Sequence, residues 1–374
     1  MKYRTNPKNN EEVSLLGFGA MRLPTLPNGE IDTDEAVKII RYAIDNGVTY
    51  LDTAYVYHGG KSEELIGEVI KDGYREKVTI ATKLPLWMIN TEEDMETLFN
   101  THLERMGIDY IDYYLAHDIH DGSFDVLKKF DVIAFMQKKK DEGKIKNLGF
   151  SSHASSPAFF KEVIDYYDWD FCQIQLNYMD EEHQAGVEGM KYAASKGIPV
   201  IIMEPLRGGK LVDVIPGPIQ SYWESASVKR SPADWALRWV ANFPEVTVIL
   251  SGMGKIEQVE ENIKILSDAE PNTLTEEELE VINKVAGEYR SRTLYGCTAC
   301  KYCMPCPAEI DIPAIITYRN EAAIYETMDK LKQGYGMFVN PKASACLDCK
   351  ACEEICPQHL KVSEIMAETV DIYE

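Results

Sequence analysis

The chain has 374 residues, 45% of them apolar, with 61 acidic against 39 basic side chains and a formal charge of −22. The apolar share is ample for one large domain and a smaller one, and the acidity argues against nucleic acid or an anionic membrane surface as partner. No apolar run approaches the ~20 residues of a membrane span, and the polar start MKYRTNPKNNEEV is unlike an export signal, so a cytoplasmic location is expected.

In chain order, short β-type runs fall at 15–21, 49–53, 78–83, 110–116, 145–151, 171–176, 199–203 and 246–251. Helical patterns lie between and after them, at 34–45, 63–71, 92–105, 126–140, 157–167, 184–196, 232–242 and 255–267. Thr33 gives a start signal for the first helix, and Gly47, Gly73 and Gly197 give stop signals for the first, second and sixth. Strand–helix alternation predicts parallel strands. Eight such units predict an α/β fold, a closed (β/α)8 TIM barrel. The competing open doubly wound sheet lacks a G-x-G-x-x-G after an early strand. The expected organisation is a barrel over 1–272, a connecting helix within 273–292, and a small helical domain over 293–374 with a helical centre at 314–334.

That last region holds eight of the nine cysteines. The first run is Cys297, Cys300, Cys303 and Cys306, followed by Pro307; the second is Cys346, Cys349, Cys352 and Cys356, followed by Pro357. The second run reads C-x2-C-x2-C-x3-C-P, the spacing that wraps a [4Fe-4S] cube in bacterial ferredoxins. Three thiolates two residues apart reach three corners of one cube, and the fourth, beside proline, usually ligates the partner cluster. Cys297, Cys300, Cys303 and Cys356 are therefore expected on one cluster, and Cys346, Cys349, Cys352 and Cys306 on the other. Only Met304 and Pro305 separate Cys303 from Cys306, so the crosswise places of Cys306 and Cys356 rest on less than the other six. Structural zinc usually draws on separated cysteine pairs, and disulfides suit small secreted domains. Two clusters imply an intracellular, anaerobic setting. Cys172, in an apolar stretch, reads as a small buried hydrophobe.

Working side chains of a (β/α)8 barrel come from the C-terminal ends of its strands. The second strand ends in Asp52-Thr53-Ala54 with Tyr57 just beyond, the third at Lys83 and the fourth at His117. Each taken singly has an ordinary alternative. Tyr57 is one of 21 tyrosines, a lysine at a strand end often reaches solvent, and His117 competes with His120 and His153. Four such groups at three successive strand ends are harder to explain as packing.

The set resembles the catalytic tetrad of the aldo-keto reductases. The resemblance covers about residues 12–268 and rests on LDTAYVY (51–57), ATK (81–83), YLAH (114–117), GFS (149–151), QIQLN (173–177), PLRGGKL (205–211) and EEN (260–262). The tail is similar to the dicluster iron–sulfur domain of a prokaryotic branch of that family. The resemblance implies an NAD(P)H-dependent oxidoreductase that reduces a small carbonyl substrate. Tyr57 would be the general acid, Lys83 would lower its pKa, Asp52 would hold Lys83, and His117 would orient the carbonyl oxygen. It implies Ser151, Ser152 and Gln173 at the nicotinamide carboxamide and Met203 at the ring, with serine and methionine standing where the family usually has asparagine and an aromatic residue. Leu206 heads the loop in which Arg207, Lys210 and Leu211 would cover the pyrophosphate. Ser251, Gly252, Lys255, Gln258, Glu261 and Asn262 would meet the phosphate and adenine end. Gly252 and Gln258 replace the family's 2′-phosphate cations, so NADPH is expected only slightly ahead of NADH.

A hydride carries two electrons and each cluster one, so direct relay between them needs a converter such as a flavin, for which the sequence offers no motif and no exclusion. Three readings follow. The barrel reduces a carbonyl and the clusters scaffold or sense; the clusters relay electrons to the barrel from a redox protein partner; or the tail transfers electrons beside an inactive barrel.

Overall fold

The computed structural model describes residues 1–297, 302–356 and 358–374. Cys300 and Pro357 lie outside the described residues. An antiparallel hairpin, β1 (Tyr3–Thr5) and β2 (Glu12–Ser14), leads into β3 (Leu16–Gly19), β4 (Tyr50–Asp52), β5 (Thr79–Pro85), β6 (Ile111–Ile119), β7 (Ile145–Ser152), β8 (Phe171–Gln175), β9 (Val200–Met203) and β10 (Val246–Ser251). β3 to β10 are all parallel, and β10 pairs with β3 to close the barrel. The expected TIM barrel is the fold observed.

The strands are buried along nearly their whole length, as strands covered on both faces must be. Inside the barrel, Tyr50, Ala81, Tyr113, Leu115, Phe171, Ile201, Val248 and Leu250 pack with Val13 of β2. Gly149 is a close-approach site: a Cβ there would lie 2.5 Å from the Phe171 ring. Register then sets which side chains reach the mouth. Asp52 pairs across from Gly19 and Ala81, Lys83 from Leu115, and His117 from Pro85.

The structure differs from the pattern read in the sequence at the N-terminus, over 121–141 and at the helix Gly217–Ser225. The hairpin was not expected, and Arg4 secures it by donating to the carbonyls of Ala241, the last residue of the helix Pro232–Ala241, at 2.5 Å and of Phe243, just beyond it, at 2.8 Å. The single helix expected over 126–140 is two, Asp121–Lys129 and Val132–Asp141, because Asp131 adopts a left-handed φ of 48° between them.

The chain separates into two compact units, 1–209 with 230–275, and 210–229 with 276–374. The segment 210–229 thus groups with the C-terminal unit. It contains the helix Gly217–Ser225, which packs on the helix Glu276–Ser291. The core of that unit gathers Ile310, Ile312, Ile315, Ile316, Tyr335, Val362, Met366 and Tyr373. Its helices include Ile312–Tyr325, Met328–Phe338, Ala351–Ile355 and Val362–Tyr373. Among the described residues no helix is long and apolar enough to cross a membrane.

Candidate active site and cysteine unit

Asp52, the last residue of β4, and Lys83, near the end of β5, are 3% and 1% exposed. The Lys83 ammonium donates to Asp52 Oδ1 at 2.6 Å and to the Thr53 carbonyl at 2.7 Å. Its nitrogen lies 5.1 Å from the centroid of the Tyr57 ring. Tyr57 opens a tight turn, Tyr57–Gly60, in which His58, Gly59 and Gly60 all have positive φ. The His117 ring stands 6.4 Å from the Tyr57 ring at an interplanar angle of 81°, and the Trp87 ring lies 5.0 Å from it. The fold therefore brings Asp52, Tyr57, Lys83 and His117 together at one end of the barrel.

The electrostatics of the group are set by burial. Burial pushes the Asp52 carboxyl up against the pull of Lys83. Burial opposes the charge on Lys83, but Asp52 outweighs it and the amine stays above its ordinary value. The Tyr57 phenol is raised by burial more than Lys83 lowers it. Here the outcome differs from the net lowering expected from Lys83 alone. Burial and the nearby Lys83 hold His117 well below the usual histidine range, so its imidazole is neutral.

Along β7 to β9, Gln173 donates to Met203 Sδ at 3.7 Å, while its buried Oε1 has no hydrogen-bond partner among the described residues. An acceptor left open in a barrel mouth fits an incoming amide N–H₂. Ser151 Oγ accepts from Asp118 N at 3.0 Å, and Ser152 Oγ donates to the Ile119 carbonyl at 2.8 Å, so both hydroxyls also brace β6. Leu206 is half-buried in the loop after β9. Of its neighbours, Arg207 pairs with Asp180 at 3.1 Å and Lys210 with Glu321.

Ser251 ends β10, Gly252 follows it, and Lys255 precedes the helix Ile256–Asp268 that carries Gln258, Glu261 and Asn262. Asn262 donates to Ser251 Oγ at 3.0 Å, Gln258 accepts from Gly254 N at 2.9 Å, and Glu261 accepts from Ser231 at 2.6 Å. One cation was not foreseen. Arg22 runs past Gly252 and Gly208, its Cβ and Nη2 lying 3.1 and 2.8 Å from where their Cβ atoms would be. Its only signal in the sequence is an arginine just past the first strand.

In the C-terminal unit, a cavity of about 250 Å³ is lined by Cys303, Cys306, Cys346, Cys349 and Cys352 with apolar walls that include Ile310, Ile312, Val362 and Met366. Cys297 packs on the same core. Cys356 is half-buried and Cys349 exposed; these cysteines and the buried Cys172 are unbridged. Burial pushes the Cys352 thiol up to about 11.

The chain resembles known proteins over most of its length. Residues 15–286 match the family model "Aldo/keto reductase family", and residues 296–360 match "4Fe-4S dicluster domain". L-galactose dehydrogenase of Arabidopsis thaliana is 27% identical over 75% of this chain and 93% of its own. The NADH-specific methylglyoxal reductase of Escherichia coli is 26% identical over 71% and 94%. The structure of aldo-keto reductase AKR11C1 from Bacillus halodurans superposes with a TM-score of 0.64 at 26% identity, covering 76% of this chain and 96% of that one. The chain belongs to the aldo/keto reductase family, as an oxidoreductase whose barrel is followed by a 4Fe-4S dicluster-type region.

Proposed function

We propose that the barrel reduces a small aldehyde or ketone to the alcohol with NAD(P)H. The observation that carries this reading is the buried Lys83 ammonium, clasped by Asp52 at 2.6 Å and lying 5.1 Å from the Tyr57 ring. When bound, the dinucleotide supplies a hydride to the carbonyl carbon. Tyr57 gives its phenolic proton to the carbonyl oxygen, so C=O becomes CH–OH, and solvent later reprotonates the phenolate. Lys83 stabilises that phenolate as it forms, and Asp52 keeps Lys83 charged. His117, neutral, donates a hydrogen bond to the same oxygen and aligns it. The open Gln173 Oε1, with Ser151 and Ser152, would hold the carboxamide, Met203 would pack on the ring, and Leu206 would close over it. Lys255 at the helix start and Arg22 beside Gly252 favour an anionic phosphate end, hence NADPH slightly over NADH, with Ser251, Gly252, Gln258, Glu261 and Asn262 around it.

The C-terminal unit is read as holding two [4Fe-4S] clusters. The cavity shared by Cys303, Cys306, Cys346, Cys349 and Cys352 supports cluster binding in this unit, and on the cysteine spacing Cys306 would join Cys346, Cys349 and Cys352. Cys297, Cys300, Cys303 and Cys356 would take the second. When bound, the clusters supply one-electron chemistry, and the chain contributes the thiolates and an apolar wall.

The test is Tyr57→Phe, assayed anaerobically with NADPH and methylglyoxal or a series of simple aldehydes. Turnover should fall at least ~100-fold with iron content unchanged; undiminished turnover rules the mechanism out. Iron analysis of the anaerobic protein should give about eight irons per chain for two cubes, and about four if only one is filled.

A further inference from the structure

Behind the mouth lies a buried polar network that the proposed mechanism does not use. Glu63, fully buried, accepts from Thr82 Oγ1 at 2.6 Å and from Arg105 Nη1 at 3.0 Å, and its Oε1 lies 2.5 Å from His102 Nδ1. Burial pushes the Glu63 carboxyl up, but hydrogen bonds from His102, Thr82 and Arg105 outweigh it and hold the group below its usual range. A carboxylate only accepts, so His102 is the Nδ1–H tautomer toward it. Arg105 Nη1 donates also to the Tyr55 carbonyl at 3.0 Å, and the guanidinium lies over the Tyr55 ring at 4.1 Å. A Cβ on Gly60 would come within 2.9 to 3.1 Å of Arg105 Nη2, Cζ and Nη1. One guanidinium thus touches both ends of the 55–60 segment.

That segment needs fastening. His58, Gly59 and Gly60 have φ of 50°, 64° and 93°; the glycines adopt this freely, but His58 is held in a left-handed conformation that costs a side-chain-bearing residue energy. Its two ends flank Tyr57, and Thr82, another ligand of Glu63, is the residue before Lys83. The network therefore meets both the segment carrying the phenol and the strand carrying the ammonium.

We propose that Arg105, anchored by Glu63, is a positioning residue that staples the 55–60 turn and fixes the Tyr57 hydroxyl against Lys83. The proposal rests on Tyr57 being the general acid. A phenol displaced by about an ångström loses proton transfer in the transition state while substrate binding is left alone.

The test is Arg105→Ala, with Arg105→Lys alongside it. The lysine variant keeps a cation beside Glu63 and serves if the truncation does not fold. Each variant is assayed anaerobically with NADPH and methylglyoxal, per nucleotide-binding site. Tyr57 is also titrated by NMR on protein carrying ¹³C at the tyrosine Cζ, its signal identified by loss in Tyr57→Phe. We expect kcat to fall roughly 10- to 100-fold with KM unchanged. We also expect the Tyr57 titration to lose the response to Lys83→Met that it shows in the parent. Either a parental kcat or a surviving Lys83 response overturns the proposal. Failure of the catalytic reading shows separately, as undiminished turnover in Tyr57→Phe.

Discussion

At the mouth of the barrel, Lys83 is gripped by a carboxylate and a carbonyl, and each partner is itself buried. In the C-terminal unit, Cys303, Cys306, Cys346, Cys349 and Cys352 face a cavity with largely apolar walls, and Cys349 is exposed. The barrel pays the desolvation of its charges with other protein charges, so its reactive groups are oriented before any ligand arrives. In the cysteine unit, Lys350 lines the cavity with the cysteines, and burial pushes the Cys352 thiol up to about 11. A coordinating metal deprotonates a thiol outright. On the proposed reading, folding completes the first site and the inorganic core completes the second.

Lys83→Met should break this contrast with the largest effect. Removing the cation leaves Asp52 uncompensated and the forming phenolate unsupported, and kcat should drop ~100- to 1,000-fold, measured under the conditions used for Tyr57→Phe. The parent carries a pH signature of the same balance. Burial holds Tyr57 above its ordinary value, so the acid form persists as pH rises. Reductive kcat/KM should stay level past pH ~10 and fall only beyond it. A fall centred well below that would show Lys83 outweighing burial.

Iron removal should act on the other side of the comparison. Anaerobic chelation is expected to strip hydrogen-exchange protection from 302–356 and 358–374 while the barrel strands keep theirs and nucleotide still binds. Full protection in the iron-free C-terminal unit would mean that its apolar core suffices alone. The smallest effect is expected for Lys255→Ala. An exposed cation is worth little, so the NADPH dissociation constant should rise roughly two- to fivefold with NADH unchanged; equal weakening of both would place Lys255 at the pyrophosphate instead.

The barrel was legible because parallel strands buried on both faces are short apolar runs, and the run at 246–251 coincides with β10. The N-terminal hairpin was not, since TyrArgThr and GluValSer are too short and polar to stand out, and its anchor, Arg4, bonds to carbonyls some 240 residues away. The break at Asp131 lacks the glycine or proline that usually marks one. The helix Gly217–Ser225 lies between the runs expected at 199–203 and 232–242, where no helix was expected. Asp52, Tyr57, Lys83 and His117 could be picked out because strand ends announce themselves. Glu63, His102 and Arg105 could not: they sit on the helices Lys61–Val69 and Glu92–Met106, whose meeting is a tertiary event with no local spacing to betray it.

The helix Gly217–Ser225 lies in sequence between β9 and β10, yet packs with the helix Glu276–Ser291, and Lys210 is paired with Glu321. The cysteine-bearing unit is thus woven into the chain at two places rather than hung from its end. A protein shortened after Thr275 would keep every barrel strand, yet strand Ile219 and Trp223, now 0% and 4% exposed, without their helical cover. Grafting or deleting this unit cleanly requires an edit at both junctions, which ties the inheritance of the two halves together.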